Sequence, residues 1–261
     1  RANGQEQVQA PINFGQRDRF WGLLINASKR PSFQENYHKP YYRRYFEQNG
    51  YVQAFEQTTS ILELADLNIE KFRALENRAL QLDGSRIEHF DPQRLNKFAS
   101  DLINIYNRAW ADKDFYKALE QNEVVALFKS MKFLIDPELI WFTYVGQEPV
   151  SFYLSVPEIN PFLEGFKGKL NLWNKLQLWF RLRLRRPGQV RGLAFGIVPE
   201  YQAKAVFVPM MMEMFRRLKN KPKIQYLELS WIGDFNPIMH SFFRRINAAP
   251  HKLHISYQKH L

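Results

Sequence analysis

The chain has 261 residues, 45% hydrophobic and 15% aromatic, with 37 Lys and Arg against 26 Asp and Glu for a net charge of +11, and it contains no cysteine. That excludes disulfides, thiolate metal sites and cysteine nucleophiles. No apolar run reaches the roughly 18 residues that span a bilayer, and no basic-then-apolar leader opens the sequence, so a cytoplasmic location is expected. In chain order, strands are predicted near Val8–Phe14 and Phe20–Ile25, with a turn at Gly15–Asp18 between them. A short helix from about Tyr41 to Gln48 ends at Asn49-Gly50, a helix C-terminus signal, and a strand follows over Tyr51–Thr58. Residues 66–82 are charged and read as a helical connector.

From Ser85 the pattern sharpens. Arg86–Phe90 reads as a strand; Asp91 caps a helix to about Trp110, with Leu95, Phe98, Leu102 and Ile105 at helical spacing. A second helix covers Asn122–Phe133. Ile140–Val145 and Val150–Val156 form a hairpin around Gly146-Gln147. Residues 165–191 carry eight Lys and Arg and no acid. Within them the helix of residues 170–186 gathers Leu172, Trp173, Leu176, Trp179, Phe180 and Leu184 on one side. Such a helix can lie on an anionic membrane, grip RNA or pack over a sheet. Packing is the expectation, because Trp and Phe call for burial; the arginines then stay solvated. Strands at Gly192–Val198, Ile224–Trp231 and Lys252–Gln258 alternate with helices from about Lys204 and over Asn236–Ile246.

The stretch LAFGIVPEYQAKAVFVPMMMEMF, residues 193–215, carries the most functional information. A strand that feeds a helix through a sharp turn aims main-chain N–H groups at one point and forms an anion cradle. The spacing V-x-P-E-x-Q-x-x-A resembles the acyl-CoA turn, Q/R-x-x-G-x-G/A, of the GCN5-related N-acetyltransferase (GNAT) superfamily. Gln202 is present, Ala205 stands where the first Gly belongs, and Phe207 where the Gly/Ala belongs. The order of elements over residues 85–261 is the GNAT order. PINFGQRDRFWGLLI, YYRRYFEQNGY, IYNRAW, DPELIWFTYV, VPEYQAK and LSWIGDFNP extend the resemblance to a poorly characterised bacterial family of tandem-GNAT proteins, over nearly the whole chain.

The resemblance implies an α/β (α+β) fold with a mixed, mostly antiparallel, splayed sheet flanked by helices, in tandem with an incomplete first copy. Residues 1–65 would be the C-terminal part of a first GNAT-like domain and 66–83 the connector. Residues 84–261 would form a complete GNAT domain with a basic helical insertion at about 160–190, and the missing part of the first domain is expected upstream. The implied activity is transfer of an acyl group from acetyl-CoA or another acyl-CoA to an amine by direct attack. Gln202, Ala203, Lys204, Ala205 and Val206 would meet the pyrophosphate. Main-chain N–H groups at Ile197 and Val198 would polarise the thioester carbonyl. Asn236 would contact the pantetheine arm; it equally fits a helix N-cap, with Pro237 at the first helical position.

Where many members carry a thiolate-protonating Tyr, this chain has Phe243, so the acid would be Tyr257, Tyr226 or water. Glu228, between Leu227 and Leu229, is the preferred candidate base, with Asp234 and Glu158 as others; each is otherwise a solvated acid. Tyr106, Asn107, Trp110 and Ser230 would shape the acceptor pocket for a small-molecule or peptide amine, although aromatics at helical spacing also suit a core. Two other readings stand: a catalytically degenerate scaffold binding nucleic acid or a membrane surface through residues 165–191, and an aminoacyl-tRNA-dependent transferase. The six histidines show no metal-ligand spacing, so no metal is expected.

Overall fold

The computed structural model describes residues 6–12, 22–26, 30–111, 117–185 and 187–261. Its first elements are β1 (Gln7–Ala10), β2 (Leu23–Leu24), α1 (Tyr41–Gln48), β3 (Val52–Glu63) and α2 (Arg73–Leu80). Next come β4 (Arg86–His89), α3 (Leu95–Trp110), α4 (Gln121–Ser130), β5 (Ile140–Val145), β6 (Glu148–Pro157) and α5 (Leu172–Leu184). The last are β7 (Gln189–Ile197), α6 (Val208–Lys219), β8 (Tyr226–Glu228), β9 (Ile232–Gly233), α7 (Pro237–Arg245) and β10 (Ala249–His260). The expected strand beyond Ile12, the turn at Gly15–Asp18 and the start of the next strand lie outside the described residues.

The chain divides into two compact units built from interleaved segments. The first comprises Arg1–Glu63, Ile159–Arg181 and Glu228–Leu261; the second comprises Leu64–Glu158 and Leu182–Leu227. In the second unit β4, β5, β6 and β7 pair antiparallel in that order. The β5–β6 hairpin turns at Gly146, whose φ of 59° is open to glycine without a Cβ penalty. Even-numbered residues of β6 face α3 and α4, where Phe98, Leu102, Ile105, Phe142 and Phe152 form a dry core. Odd-numbered residues face α6, as the Ser151 hydroxyl donating to Met210 Sδ shows. Period-2 alternation thus builds a helix–sheet–helix sandwich. Arg216 of α6 holds Glu76 of α2 through both guanidinium nitrogens, which ties the outer helices together.

In the first unit β10 is central, with β3 antiparallel on one side and β1 and β2 on the other. β9 extends β3. Leu23, Ile255 and Tyr257 make an apolar patch, and Phe46 of α1 stacks on Tyr257 at 5.1 Å. α1 stops as expected: Gly50, at φ 77°, donates its N–H to Glu47 O.

Two expectations are corrected. The helix placed from about Lys204 begins at Val208, because Pro199–Lys204 winds as a 3₁₀ turn and Ala205 then takes the left-handed conformation. The aromatic side of α5 does not pack over a sheet; Trp173, Trp179 and Phe180 are exposed.

Gly196 on β7 shows how tightly the second unit is packed. A Cβ there would stand 2.6 Å from Phe152 Cε1 and 2.8 Å from Trp110 Cζ3. Gly196→Ala is therefore expected to destabilise the chain by about 1–3 kcal/mol, read as a lower urea midpoint with an unchanged slope.

Candidate functional site

The expected anion-binding turn is the stretch between β7 and α6. Ala205 has φ 54° and ψ 25°, a conformation that costs an L-residue roughly 1–2 kcal/mol and glycine nothing. Alanine thus holds, at the first Gly position of the motif, a conformation that glycine adopts without penalty. Phe207 is taken up by the sheet: its ring meets Phe195 of β7 edge-on at 5.3 Å, and Phe195 in turn meets Tyr153. At the head of α6, Val208 donates to Ala205 O and Pro209 has no N–H. Gln202, Ala203 and Lys204 form an exposed rim, while Val206 is buried in the core below them. Lys204 Nζ sits 4.5 Å from the centre of the Tyr201 ring.

The end of β7 has two distinct main-chain edges. Val198 N–H donates to Val150 O at 3.0 Å, so this donor is consumed by the ladder. Ile197 stands opposite Ser151, one residue out of phase with that bond. Its N–H and C=O consequently point away from β6, and Gln202 Nε2 donates to the Ile197 carbonyl at 3.4 Å. β8 meets β7 at its start, where the N–H groups of Gln225 and Tyr226 both donate to Gly188 O. β8 has three residues and β7 nine, so most of this edge of β7 runs on past the end of β8.

The acceptor-pocket residues on α3 lie in the same unit. Trp110 stacks on Tyr106 at 4.6 Å and lies against Gly196, next to Ile197. Asn107 is committed to structure: its Oδ1 accepts from Leu119 N at 3.0 Å and its Nδ2 donates to Leu119 O, pinning the approach to α4. Arg108 bridges Glu148 and Glu200, and Tyr201 donates to Glu148. Two open grooves of about 680 and 480 Å³ lie elsewhere in this unit, one between residues 65–70 and α6 and one between β4 and α6, and contain no residue of the turn.

The first unit holds a buried charged cluster. The Lys252 side chain has 0% exposure, and its ammonium lies 2.9 Å from Glu228 Oε2 and 2.6 Å from Glu35 Oε2, both carboxylates being 2% exposed. Ser32 closes the ring: its hydroxyl donates to Glu228 Oε1 at 2.9 Å, its N–H donates to Glu35 Oε2, and Lys252 donates to its Oγ at 2.8 Å. His254 stands 3.8 Å from Glu35 Oε1 and His251 3.9 Å from Glu228 Oε2. Glu35 Oε1 has no hydrogen-bond partner among the described residues. Along β10, Lys252, His254 and Ser256 share one side with Gln57 of β3, to which Ser256 donates at 3.1 Å. No group of His, Asp and Glu among the described residues is disposed to hold a metal ion; the ammonium occupies the centre instead.

The remaining first-unit candidates are dispersed. Asn236 caps α7, its Oδ1 accepting from Met239 N at 3.2 Å. Ser230 has a buried hydroxyl with no hydrogen-bond partner among the described residues. Tyr257 is buried under Phe46, and burial, against the opposing Arg43, raises its phenol above the ordinary value so that it keeps its proton. Phe243 is buried beside Phe242. Asp234 is exposed and accepts from Glu56 N, whereas Glu158 is buried. Sequence reasoning missed Ser32, Glu35 and Lys252. The signal available was the alternation Lys252, His254, Ser256 against Leu253, Ile255, Tyr257, a strand with two distinct faces.

No protein-family profile matches the chain. It is similar to protein YghO of Escherichia coli (strain K12), 25% identical over 268 residues that cover all of this chain and 67% of that protein. It is likewise 25% identical, over 272 residues, to the bacterial ceramide synthase of Caulobacter vibrioides, covering all of this chain and 68% of that protein. Among solved structures, a tandem GNAT protein from the clavulanic acid biosynthesis pathway superposes with a TM-score of 0.52 at 8% identity, over 99% of this chain and 65% of that one. The chain therefore has the GNAT fold, and it spans about two thirds of each of these proteins.

Two substitutions test these geometries. Ala205→Gly should stabilise the chain by up to about 1 kcal/mol by removing the left-handed penalty, seen as a raised urea midpoint. Lys252→Met should cost about 3–5 kcal/mol, because two buried carboxylates lose their counter-charge; calorimetry would show the lowered transition.

Proposed function

We propose that the chain is an acyl-CoA-dependent N-acyltransferase whose acceptor is a long-chain amino alcohol or a related lipid amine. The observation that carries this reading is the left-handed Ala205 between β7 and α6. The turn has lost the motif's glycines and kept the backbone path that glycine would supply. Similarity over the whole chain to a bacterial ceramide synthase supports the acceptor class, since a ceramide is the N-acyl amide of a long-chain amino alcohol. The GNAT fold supports acyl transfer.

In this reading acyl-CoA, when bound, supplies a thioester activated toward amines. Lys204, with the turn around Ala205 and Val206 and the exposed Gln202 and Ala203, receives the pyrophosphate. Ile197 N–H, directed off the free edge of β7, donates to the thioester carbonyl and stabilises the oxyanion that develops there; the Val198 N–H is occupied and takes no part. Asn236 serves as a helix cap. Tyr106 and Trp110 offer an apolar wall for the acceptor chain. Attack by the amine nitrogen forms the C–N bond as the C–S bond breaks. The amine proton passes to a base and the departing thiolate takes a proton from water.

The test is incubation of the purified chain with acyl-CoAs of graded length and a long-chain amino alcohol. The amide is followed by mass spectrometry and the released thiol by a colorimetric assay. Amide formed in step with thiol is expected. Ala205→Val, which places a β-branched residue at positive φ, should raise KM for acyl-CoA about tenfold or more. Thiol release with no acyl-CoA tested, or amide formed only from an aminoacyl-tRNA donor, would overturn the reading.

A further inference from the structure

α5 is amphipathic in the reverse sense for a surface helix. At about 100° per residue, Trp179, Leu172, Leu176, Phe180, Trp173 and Leu184 fall within one arc of about 140°, and that arc faces solvent. Leu172 is 85% exposed, Trp173 65%, Phe180 51% and Leu184 75%. The opposite side carries Asn174, Gln177 and Arg181, all partly buried, around the buried Leu178. The polar side is spent on fixing the helix. Arg181 donates to the carbonyls of Phe162 at 2.8 Å and Glu164 at 2.9 Å and lies over the Phe166 ring. Asn174 Nδ2 donates to Lys169 O, and its main-chain N–H donates to Asn171 Oδ1. The chain thus uses its hydrogen-bonding groups to hold the helix down and turns its apolar groups outward.

We propose that α5 is an interfacial docking helix that seats the protein on an anionic lipid bilayer. The outward arc supplies Leu, Trp and Phe for the headgroup–acyl boundary, where aromatic side chains are favoured. Lys167, Lys169, Lys175 and Arg183 lie in or beside it, and residues 165–191 contain no acid, so lipid phosphates complement the charge. A second copy of the chain would bring the same positive charge against itself. RNA would call for aromatics that stack on bases, and this arc holds Leu172, Leu176 and Leu184 as well. Among the described residues no helix is long and apolar enough to cross a membrane, so α5 lies in the surface plane. The inference rests on α5 alone and not on acyl transfer; a chain inactive with every acyl-CoA would still bind vesicles.

The experiment is co-flotation of the full chain with vesicles of phosphatidylcholine alone and with phosphatidylglycerol mixed in, over a range of salt. Binding to the mixed vesicles, weakened by salt and reduced about tenfold or more in Trp173→Ala/Phe180→Ala, is expected. Both side chains are exposed, and an unchanged far-ultraviolet spectrum and melting temperature will show that the variant is folded. Lys167→Glu/Lys169→Glu provides an independent arm and should weaken binding to the mixed vesicles selectively. Absence of vesicle binding, binding that neither variant changes, retention by RNA without binding to vesicles, or self-association abolished by the double variant would each overturn the proposal.

Discussion

An ammonium with no contact to water organises the first unit. Moving Lys252 out of solvent carries a cost of several kcal/mol that only close carboxylates offset. Glu35 and Glu228 meet that demand from a loop and from the end of β8, and Ser32 bridges them. Two separate segments are thereby fixed to β10 by one charge. A polar layer this dry specifies its partners strictly, because any replacement leaves a desolvated charge behind. It also holds the Glu228 carboxylate in one defined orientation.

The second unit solves a different problem, that of turning a strand into a helix through one residue in the left-handed conformation. Glycine would do so at no conformational cost. Here alanine takes the same path, and the surrounding core, with Val206 and Val198 buried and Phe207 seated on Phe195, supplies the energy that holds it. The phase of the β6–β7 ladder then decides which amide is available: Val198 N–H is paired, and Ile197 N–H is turned outward.

Local signals were legible in the sequence wherever one residue type answers one geometric demand. Asn49-Gly50 ended α1 where expected, Gly146 turned the β5–β6 hairpin, and Asn236-Pro237 opened α7 with the asparagine as cap. The order of strands and helices followed from hydrophobic periodicity, and the GNAT fold from the resemblance of that order and of the quoted motifs to the superfamily. Ala205 escaped because alanine is a good helix former, and only the tertiary packing forces it left-handed. Lys252 escaped because a lysine in a strand reads as solvated, and the carboxylates that bury it come from aperiodic segments far away in sequence. For α5 the periodicity defined an apolar side correctly and carried no information on whether that side faces protein or solvent.

The interleaving of segments in the first unit bears on how the chain is made. β3 (Val52–Glu63) pairs along its length with β10 (Ala249–His260), so during synthesis it leaves the ribosome long before its partner exists. All the segments of the second unit, by contrast, precede β10 in the order of synthesis. Vectorial synthesis therefore favours a nascent state in which the second unit is already folded while β3 waits with an open edge, the kind of surface that chaperones shield.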